Sequence, residues 1–577
     1  MSSTREGKSP LGFGWGWLVL VGVAVGWWMA MHVAAIAASS TGWRPNKLHR
    51  LVDGSAHLFA PSKVTAGGMD GLVFPMVTLS VYAAILAALI VWVWRWFGRQ
   101  NSQGLASRKD LAQFAASTVT ARAPQIVGRP DSDPRASGLQ LGRAQGQDVW
   151  LSSEETMLVL APPRVGKTSR VVAPAVARHR GPVVATGVRS DIFHWTIDAR
   201  RQLGYGHLWV CDPVGTLTLP DDVRRVRWSP LTGCSDPDIA RLRVEALFAA
   251  LPAGGANDEF WRTEAVRTLT EYFVAAAVAR HRISSVMRWV ANTGDTTAVG
   301  ILQDAAKDNP TSLTGLSLRN GASLLEAMIG EEPKYKAGVY GQMRQALDCF
   351  RFRTVMEMCE IDEADSFDAH DFLANSGTVW MLGSDTRGEV AAGVCCALTA
   401  SIIESARARA TASGRLRPPL LLALDEILNV APIPRLEQLL STGGGSGLQS
   451  MIVLQSMAAA RNKYGRETGD ALLDFNTAKI VLGGLADAQD LQDLSTLLGQ
   501  RDETTVSASR SGRLGVLERS DYSYSHRLVP VLRPDEIRTI DTQRKGQALV
   551  VARSSKGMVI SMPSIFELAA ANGWSIA

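Results

Sequence analysis

The chain has 577 residues, too many for one compact domain and enough for two to four. Hydrophobic residues make up 46 % and charged residues 20 %, the balance of an ordinary globular protein, and a net charge of +5 is too small on this length to argue for nucleic acid by itself. The six Cys (Cys211, Cys234, Cys349, Cys359, Cys395 and Cys396) show no metal spacing and read as reduced packing residues.

Two uncharged runs come first, Leu11–Ala38 and Leu72–Trp94. Each exceeds the roughly 20 residues that a helix needs to cross a hydrocarbon core, and the first is too long for the apolar part of a signal peptide. Trp15, Trp17, Trp27, Trp28, Trp43, Trp92, Trp94 and Trp96 crowd this region, as suits a ring that favours the lipid–water boundary. Residues 1–97 therefore read as a membrane region with two transmembrane helices and a short outside loop. Positive charge is spread over both sides, with Arg5 and Lys8 before the first span, Arg44, Lys47, Arg50 and Lys63 between the spans, and Arg95 and Arg99 after the second. Orientation rests instead on the nucleotide site described next. Nucleotide is available only inside, so both termini are expected in the cytoplasm.

Residues 98–150, rich in Gly, Arg, Gln, Ser and Asp with Pro124, Pro130 and Pro134, read as a polar linker or lead-in. Beyond it, Met157–Leu160, Pro182–Thr186, His207–Cys211, Thr378–Leu382, Leu420–Leu424, Met451–Leu454 and Lys479–Leu482 are short aliphatic runs. Such runs suit parallel strands covered on both faces, and their alternation with helical stretches predicts a doubly wound α/β sheet. Between 240 and 355 no such run occurs, and helical stretches replace it. The expected division is 151–239 as the first part of a nucleotide-binding domain, 240–355 as an inserted all-α domain, and 356–577 as the second part.

Ala161-Pro-Pro-Arg-Val-Gly166-Lys167-Thr168 is a P-loop with Ala in place of the first Gly. It follows the strand Met157–Leu160 and precedes a helical stretch, Ser169–His179, the context that the motif requires. Pro162 and Pro163 cannot donate, so the amides around Arg164, Val165, Gly166, Lys167, Thr168 and Ser169 are left to cradle phosphates. Lys167 is expected to neutralise β- and γ-phosphate charge and the Thr168 hydroxyl to bind Mg²⁺. Leu420-Leu-Leu-Ala-Leu-Asp425-Glu426 supplies the second half. It puts two acids at the carboxyl edge of a buried strand, where open α/β sheets bind ligands. Asp425 is expected to hold Mg²⁺, and Glu426 to orient and deprotonate the attacking water. Met451-Ile-Val-Leu-Gln455 ends another strand in a side chain suited to sensing the γ-phosphate or positioning water. The substrate and cofactor expected are ATP and Mg²⁺.

These residues resemble the coupling proteins of type IV secretion, the TraG/TraD-like family. The likeness runs through Asp425-Glu-Ile-Leu-Asn, Pro432-Ile-Pro-Arg-Leu-Glu, the Gly-rich Gly443–Gly447, Leu454-Gln-Ser, Thr477-Ala-Lys-Ile-Val-Leu-Gly-Gly484, Leu497-Leu-Gly, Leu532-Arg-Pro-Asp-Glu-Ile537 and Gly546-Gln-Ala-Leu-Val, with Asp258-Glu-Phe-Trp261 heading a helix. The resemblance implies a RecA-like P-loop NTPase domain with an inserted all-α domain behind two transmembrane helices. It implies a homo-hexamer in the bacterial inner membrane, with ATP at the subunit boundaries and a central channel. The implied partners are single- or double-stranded DNA bound with little sequence preference, a relaxase, and the proteins of the secretion channel.

The sequence departs from that family in two places. Gly187-Val-Arg-Ser-Asp191 replaces the family's usual acidic segment after its second strand, and the family's arginine that acts on a neighbouring subunit falls on Gly444, leaving Arg435 and Arg461 as alternatives. An FtsK-like pump for double-stranded DNA, a transporter of proteins only and a non-hydrolysing membrane scaffold are the competing readings. The stretch Ser507–His526, with Arg510, Arg513 and Arg519, reads as a solvated hairpin, with DNA contact as the alternative.

Overall fold

The computed structural model describes residues 104–576 except 205, 253–255, 309, 384–387, 510–520 and 554, together with 80, 83 and 86–88. The span Leu11–Ala38, and all but a few residues of Leu72–Trp94, lie outside the described residues. Among the described residues no helix is long and apolar enough to cross a membrane. The chain divides into two units, one of residues 105–499 with 532–577, the other of residues 1–104 with 500–531.

The larger unit is organised by one sheet. Its strands are β1 (Gly138–Ala144), β2 (Gln147–Ser152), β3 (Met157–Leu160), β4 (Val183–Gly187), β5 (Leu208–Cys211), β6 (Val223–Arg225), β7 (Thr378–Leu382), β8 (Leu420–Leu424), β9 (Leu448–Leu454), β10 (Ala478–Leu482), β13 (Gln547–Ala552) and β14 (Met558–Ser561). They lie in the order β2-β1-β14-β13-β10-β3-β9-β8-β4-β7-β5-β6. From β10 to β6 every pairing is parallel. The four strands beyond β10 form an antiparallel edge. The seven aliphatic runs read from the sequence all lie in the parallel part, where both faces are covered and most positions of a strand are apolar. Alternate residues serve opposite faces. Leu158, Leu160, Leu422, Leu424 and Leu454 enter one core cluster, and Met157, Val159, Leu421, Ala423 and Val453 the other. Each such Leu, Val or Met side chain contributes roughly 1.5–3 kcal/mol on full burial.

Residues 104–150 are not a mere linker. β1 and β2 pair antiparallel at the sheet edge, and Leu111, Phe114, Val119 and Ile126 before them are buried. An edge hairpin buries only some of its positions, so its polar residues mask the strand pattern. Gln145 (φ 50°) and Gly146 (φ 80°) make its tight turn, the left-handed pair that suits a two-residue hairpin loop. β9 likewise begins at Leu448, earlier than its aliphatic run, and takes the buried polar residues Gln449 and Ser450 into the sheet. Gln449 is tolerated there because its Nε2 donates to the Ser152 carbonyl at 3.2 Å.

Helices cover the sheet. α1 (Ala173–Arg178) and α2 (Asp191–Leu203) follow β3 and β4. Between β6 and β7 the chain is helical: α3 (Pro237–Ala249), α4 (Ala256–Val278), α5 (Ile283–Ala291), α6 (Thr297–Lys307), α7 (Leu313–Gly330) and α8 (Pro333–Leu347). The buried Tyr272 and Tyr340 hydroxyls share a hydrogen bond of 2.8 Å there. This helical segment shares its hydrophobic core with one face of the sheet, through Leu247, Leu269 and Phe350. Later come α9 (Gly388–Ser413), α10 (Leu436–Ser446), α11 (Met457–Tyr464) and α12 (Ile565–Asn572). All six cysteines are free and buried. In the smaller unit β11 (Gln500–Ser509) and β12 (Asp521–Pro530) form an antiparallel ladder. Its tip, with Arg510, Arg513 and Arg519, lies outside the described residues.

Candidate nucleotide site

Three neighbouring strands build the site. β3, β9 and β8 are adjacent and parallel, so their carboxyl ends deliver residues 161–168, Gln455 and Asp425–Glu426 to one edge. Ala161 N donates to the Leu454 carbonyl at 3.0 Å, extending the β3–β9 pairing into the loop. The loop then bends through left-handed backbone at Arg164 (φ 64°) and Gly166 (φ 92°) before Lys167 returns to the right-handed region. Such an alternation turns successive N–H groups toward a common concavity and makes an anion-binding nest.

After Lys167 the helix does not begin as an ordinary α-helix. Residues Thr168–Val172 form a wider π turn, and α1 follows. Pro174 has no N–H for the carbonyl four residues back, and its ring crowds that carbonyl, so the preceding turn opens.

Lys167 is buried, 8 % exposed, and held between two acids. Its Nζ lies 3.3 Å from Asp425 Oδ1 and bonds Glu426 Oε1. Thr168 Oγ1 donates to Asp425 Oδ2 at 2.5 Å. The backbone beneath is braced by Thr186 Oγ1 on β4, which donates to the Asp425 carbonyl at 2.8 Å; nothing in the local sequence marks Thr186 for that task. Burial pushes the Asp425 carboxyl above the usual carboxylate range, with Lys167 and the Thr168 hydroxyl pulling it back. Glu426 has φ 52°, a left-handed conformation costly for a residue with a side chain. It turns the chain sharply at the strand end while its carboxylate reaches Lys167.

The donor set fits a hard divalent cation. Asp425 Oδ1 is buried without a well-formed hydrogen bond, Lys167 at 3.3 Å being an ion-pair contact, and a hydroxyl oxygen stands on the other carboxylate atom. Oxygen donors of this kind suit Mg²⁺, which keeps several waters and takes one or two protein ligands.

Gln455 is exposed at the end of β9, on the same edge. Ser456 follows it and caps α11 by accepting from Ala459 N at 3.3 Å. Arg164 is exposed, whereas Val165 is 9 % exposed and packs into the core. Ser169 Oγ bonds the Gly166 carbonyl at 3.3 Å. Arg189 and Asp191, after β4, pair with each other at 3.5 Å on the surface.

Gly444 is closed in. A Cβ there would lie 2.1 Å from the Glu154 carbonyl oxygen, so no arginine fits that position. Of the two alternatives, Arg435 pairs with Glu245 at 2.8 Å and Arg461 with Asp470 at 2.6 Å.

A family profile described as the TraM recognition site of TraD and TraG matches residues 419–542, the stretch that contains β8, β9, β10, Asp425, Glu426 and Gln455. No curated protein matches the chain. Among solved structures, an unbound form of the bacterial conjugative coupling protein TrwB is 17 % identical, covers 74 % of this chain and 88 % of its own, and superposes with a TM-score of 0.50. The plasmid coupling protein TrwB in complex with ADP and Mg²⁺ is 15 % identical, covers 78 % of this chain and 92 % of its own, with a TM-score of 0.51. At such identity these likenesses are likenesses of fold. By the family profile over residues 419–542 and by fold over 74 % of its length, the resemblance read from the motifs holds, and the chain is similar to the type IV coupling proteins.

Proposed function

We propose that the chain is a membrane-anchored coupling ATPase that uses ATP hydrolysis to drive DNA, with its attached relaxase, into a type IV secretion channel. The observation that carries the reading is Lys167 held between Asp425 and Glu426 at the shared edge of β3 and β8. A cation and two acids meeting at the mouth of a phosphate loop are the parts that phosphoryl transfer from ATP to water needs.

On this reading Lys167 leaves Glu426 for the β- and γ-phosphates when ATP arrives. Glu426 is then free to take a proton from the attacking water, and Gln455, on the strand between them, orients that water. Thr168 and Asp425 would hold Mg²⁺, which neutralises phosphate charge when bound. The nest at Arg164–Lys167 binds the phosphate oxygens through backbone amides. The two N-terminal spans anchor the chain, and the assembled form is a homo-hexamer. The family profile over residues 419–542 supports a TraM-like protein as a further partner of this region.

The test is the ATPase rate of the full chain, reconstituted in lipid, with single-stranded DNA, double-stranded DNA and no DNA. Stimulation by DNA is expected, with affinity that falls steeply as salt rises and depends little on sequence, because phosphate contacts release counterions. Full ATPase activity without any DNA binding would overturn the DNA pump in favour of a transporter of proteins. Absence of ATPase activity under every condition would leave the scaffold reading.

A further inference from the structure

The backbone on either side of Gln455 is held at two points. Before it, the Leu454 carbonyl accepts from Ala161 N at 3.0 Å, which ties β9 to the phosphate loop. After it, Met457 N, the first N–H of α11, donates to Asp490 Oδ2 at 3.1 Å. Gln455 and Ser456 span the gap between these anchors, with Ser456 extended at φ −160° and ψ 157°.

Asp490 arrives from another part of the chain. It lies on the helix Ala488–Leu498, which follows β10. β9 and β10 flank β3, the strand that ends in the phosphate loop. The helices after the two flanking strands therefore meet through this one bond. Asp490 is 2 % exposed. Its own backbone is fixed, because the Asp487 carboxylate accepts from Gln489 N at 2.9 Å and from Asp490 N at 3.2 Å. Asp490 Oδ1 lies 3.7 Å from the Arg461 guanidinium, which is engaged more closely by Asp470 at 2.6 Å. Beyond that ion-pair contact Oδ1 has no hydrogen bond.

A buried carboxylate with one oxygen left unfilled is costly. Capping does not account for it, since the Ser456 hydroxyl already accepts from Ala459 N. An acid placed for the helix dipole would serve from an exposed position with less desolvation. What Asp490 adds is a fixed point two residues beyond Gln455, supplied from a different strand.

We infer that Asp490 is a positioning residue for Gln455: by accepting from Met457 N it fixes the exit of β9 and so the approach of the Gln455 side chain to the attacking water. The inference rests on the reading of Gln455 as the group that orients water in the ATPase, and it gives Asp490 no contact with nucleotide. Misplacing a reacting group by about 1 Å can cost about 10²-fold in rate. The effect therefore falls on kcat and leaves nucleotide binding nearly untouched.

The experiment measures ATP turnover and ATP affinity of the full chain in lipid, with Mg²⁺ and DNA. Asp490→Ala removes the acceptor, and Asp490→Asn keeps one. Met457→Pro removes the same bond from the donor side, at a first-turn position that proline tolerates and after an extended residue that suits it. Each change is made in the unaltered chain and again beside Gln455→Ala, and thermal unfolding identifies the folded variants. In the unaltered background, kcat is expected to fall at least fivefold in Asp490→Ala and Met457→Pro, with KM and affinity within twofold. Asp490→Asn is expected to stay within threefold. Beside Gln455→Ala, where nothing remains to be positioned, the same changes are expected to alter kcat less than twofold. Equal losses in both backgrounds would show a merely structural role and overturn the inference. So would unchanged turnover in Asp490→Ala, or an Asp490→Asn variant as slow as Asp490→Ala. Normal turnover in Gln455→Ala alone would remove Gln455 from the chemistry, and this inference with it, while the ATPase reading stands. An unaltered chain without turnover would instead sink the ATPase reading itself.

Discussion

Lys167 Nζ lies 3.3 Å from Asp425 Oδ1 and also bonds the neighbouring Glu426, so a single buried cation balances two acids contributed by another strand. Removing it strips the site of its phosphate partner and leaves the acids facing each other. Lys167→Ala is therefore expected to lower ATP turnover by about a hundredfold or more, the scale of losing one such stabilising group. Glu426→Gln is expected to keep ATP binding within a few-fold while turnover falls by about 10²-fold or more, as for a lost general base. Steady-state turnover and equilibrium nucleotide binding, measured side by side, check the pair. Normal turnover in the Gln variant would remove Glu426 from the chemistry.

Gly444 gives a prediction of the opposite kind, about stability. Any side chain there would drive a Cβ to 2.1 Å from the Glu154 carbonyl oxygen, a backbone atom of a segment whose carboxylate is held by Arg415 at 2.6 Å. Gly444→Arg is expected to lose about 1–3 kcal/mol or more, the scale of overpacking a closed site. It should lower the melting temperature without creating a working arginine. A variant as stable as the parent, with faster ATP turnover, would mean that this face can open.

Glu271 on α4 is a half-buried acid whose carboxyl is pushed up to about 7 by burial, with Arg267 pulling back. A Cβ on Gly321 of α7 would lie 2.2 Å from Glu271 Oε2, so the glycine makes room for the carboxyl. The folded protein holds the proton more tightly than the unfolded chain, whose ordinary value is 4.5. Stability is thus unpenalised below about pH 4.5 and falls as pH rises through about 7. Glu271→Gln, which cannot ionise, is expected to match the parent at about pH 4 and to exceed it at pH 8 by about 1–3 kcal/mol, given the partial exposure of the site. Chemical denaturation at the two pH values measures the difference. A variant less stable than the parent at pH 8 would refute the assignment.

Topology can be read with an impermeant thiol reagent, because the native cysteines described above are all buried. Ser55→Cys, between the candidate spans, is expected to label in intact cells, and Ser107→Cys is not. Ser107 is exposed on the folded chain, so its protection would come from the membrane and not from packing. Labelling at Ser107 alone would invert the chain and remove its nucleotide site from the cytoplasm.

Much of the parallel sheet was legible because its signals are local. A strand covered on both faces is apolar at most positions, as Leu420–Leu424 and Met157–Leu160 are throughout, and no partner need be known to see it. The loop Ala161–Thr168 and the acids Asp425 and Glu426 are local in the same way, since each is marked by residue type and by its place at a strand end. The antiparallel edge was not legible. In β1 polar residues and glycines are interspersed with apolar ones, and in β2 the apolar run is only Val149–Leu151, so Gln140, Arg143, Gln147 and Asp148 disguise a hairpin as a linker.

What the sequence determined by itself was the inventory: a phosphate loop after a strand, two acids after another, and a strand that ends in Gln455. Tertiary structure alone decided that these meet, because strand order follows from how helices cover both faces and not from any single segment. It placed β9 between β3 and β8, and so brought Asp425 to Lys167. It also closed Gly444 against Glu154, braced Asp425 from Thr186, and set Asp490 against Met457 N. Each of these is a close approach of segments distant in the chain, and the sterics and hydrogen bonds that enforce it exist only once the sheet has formed.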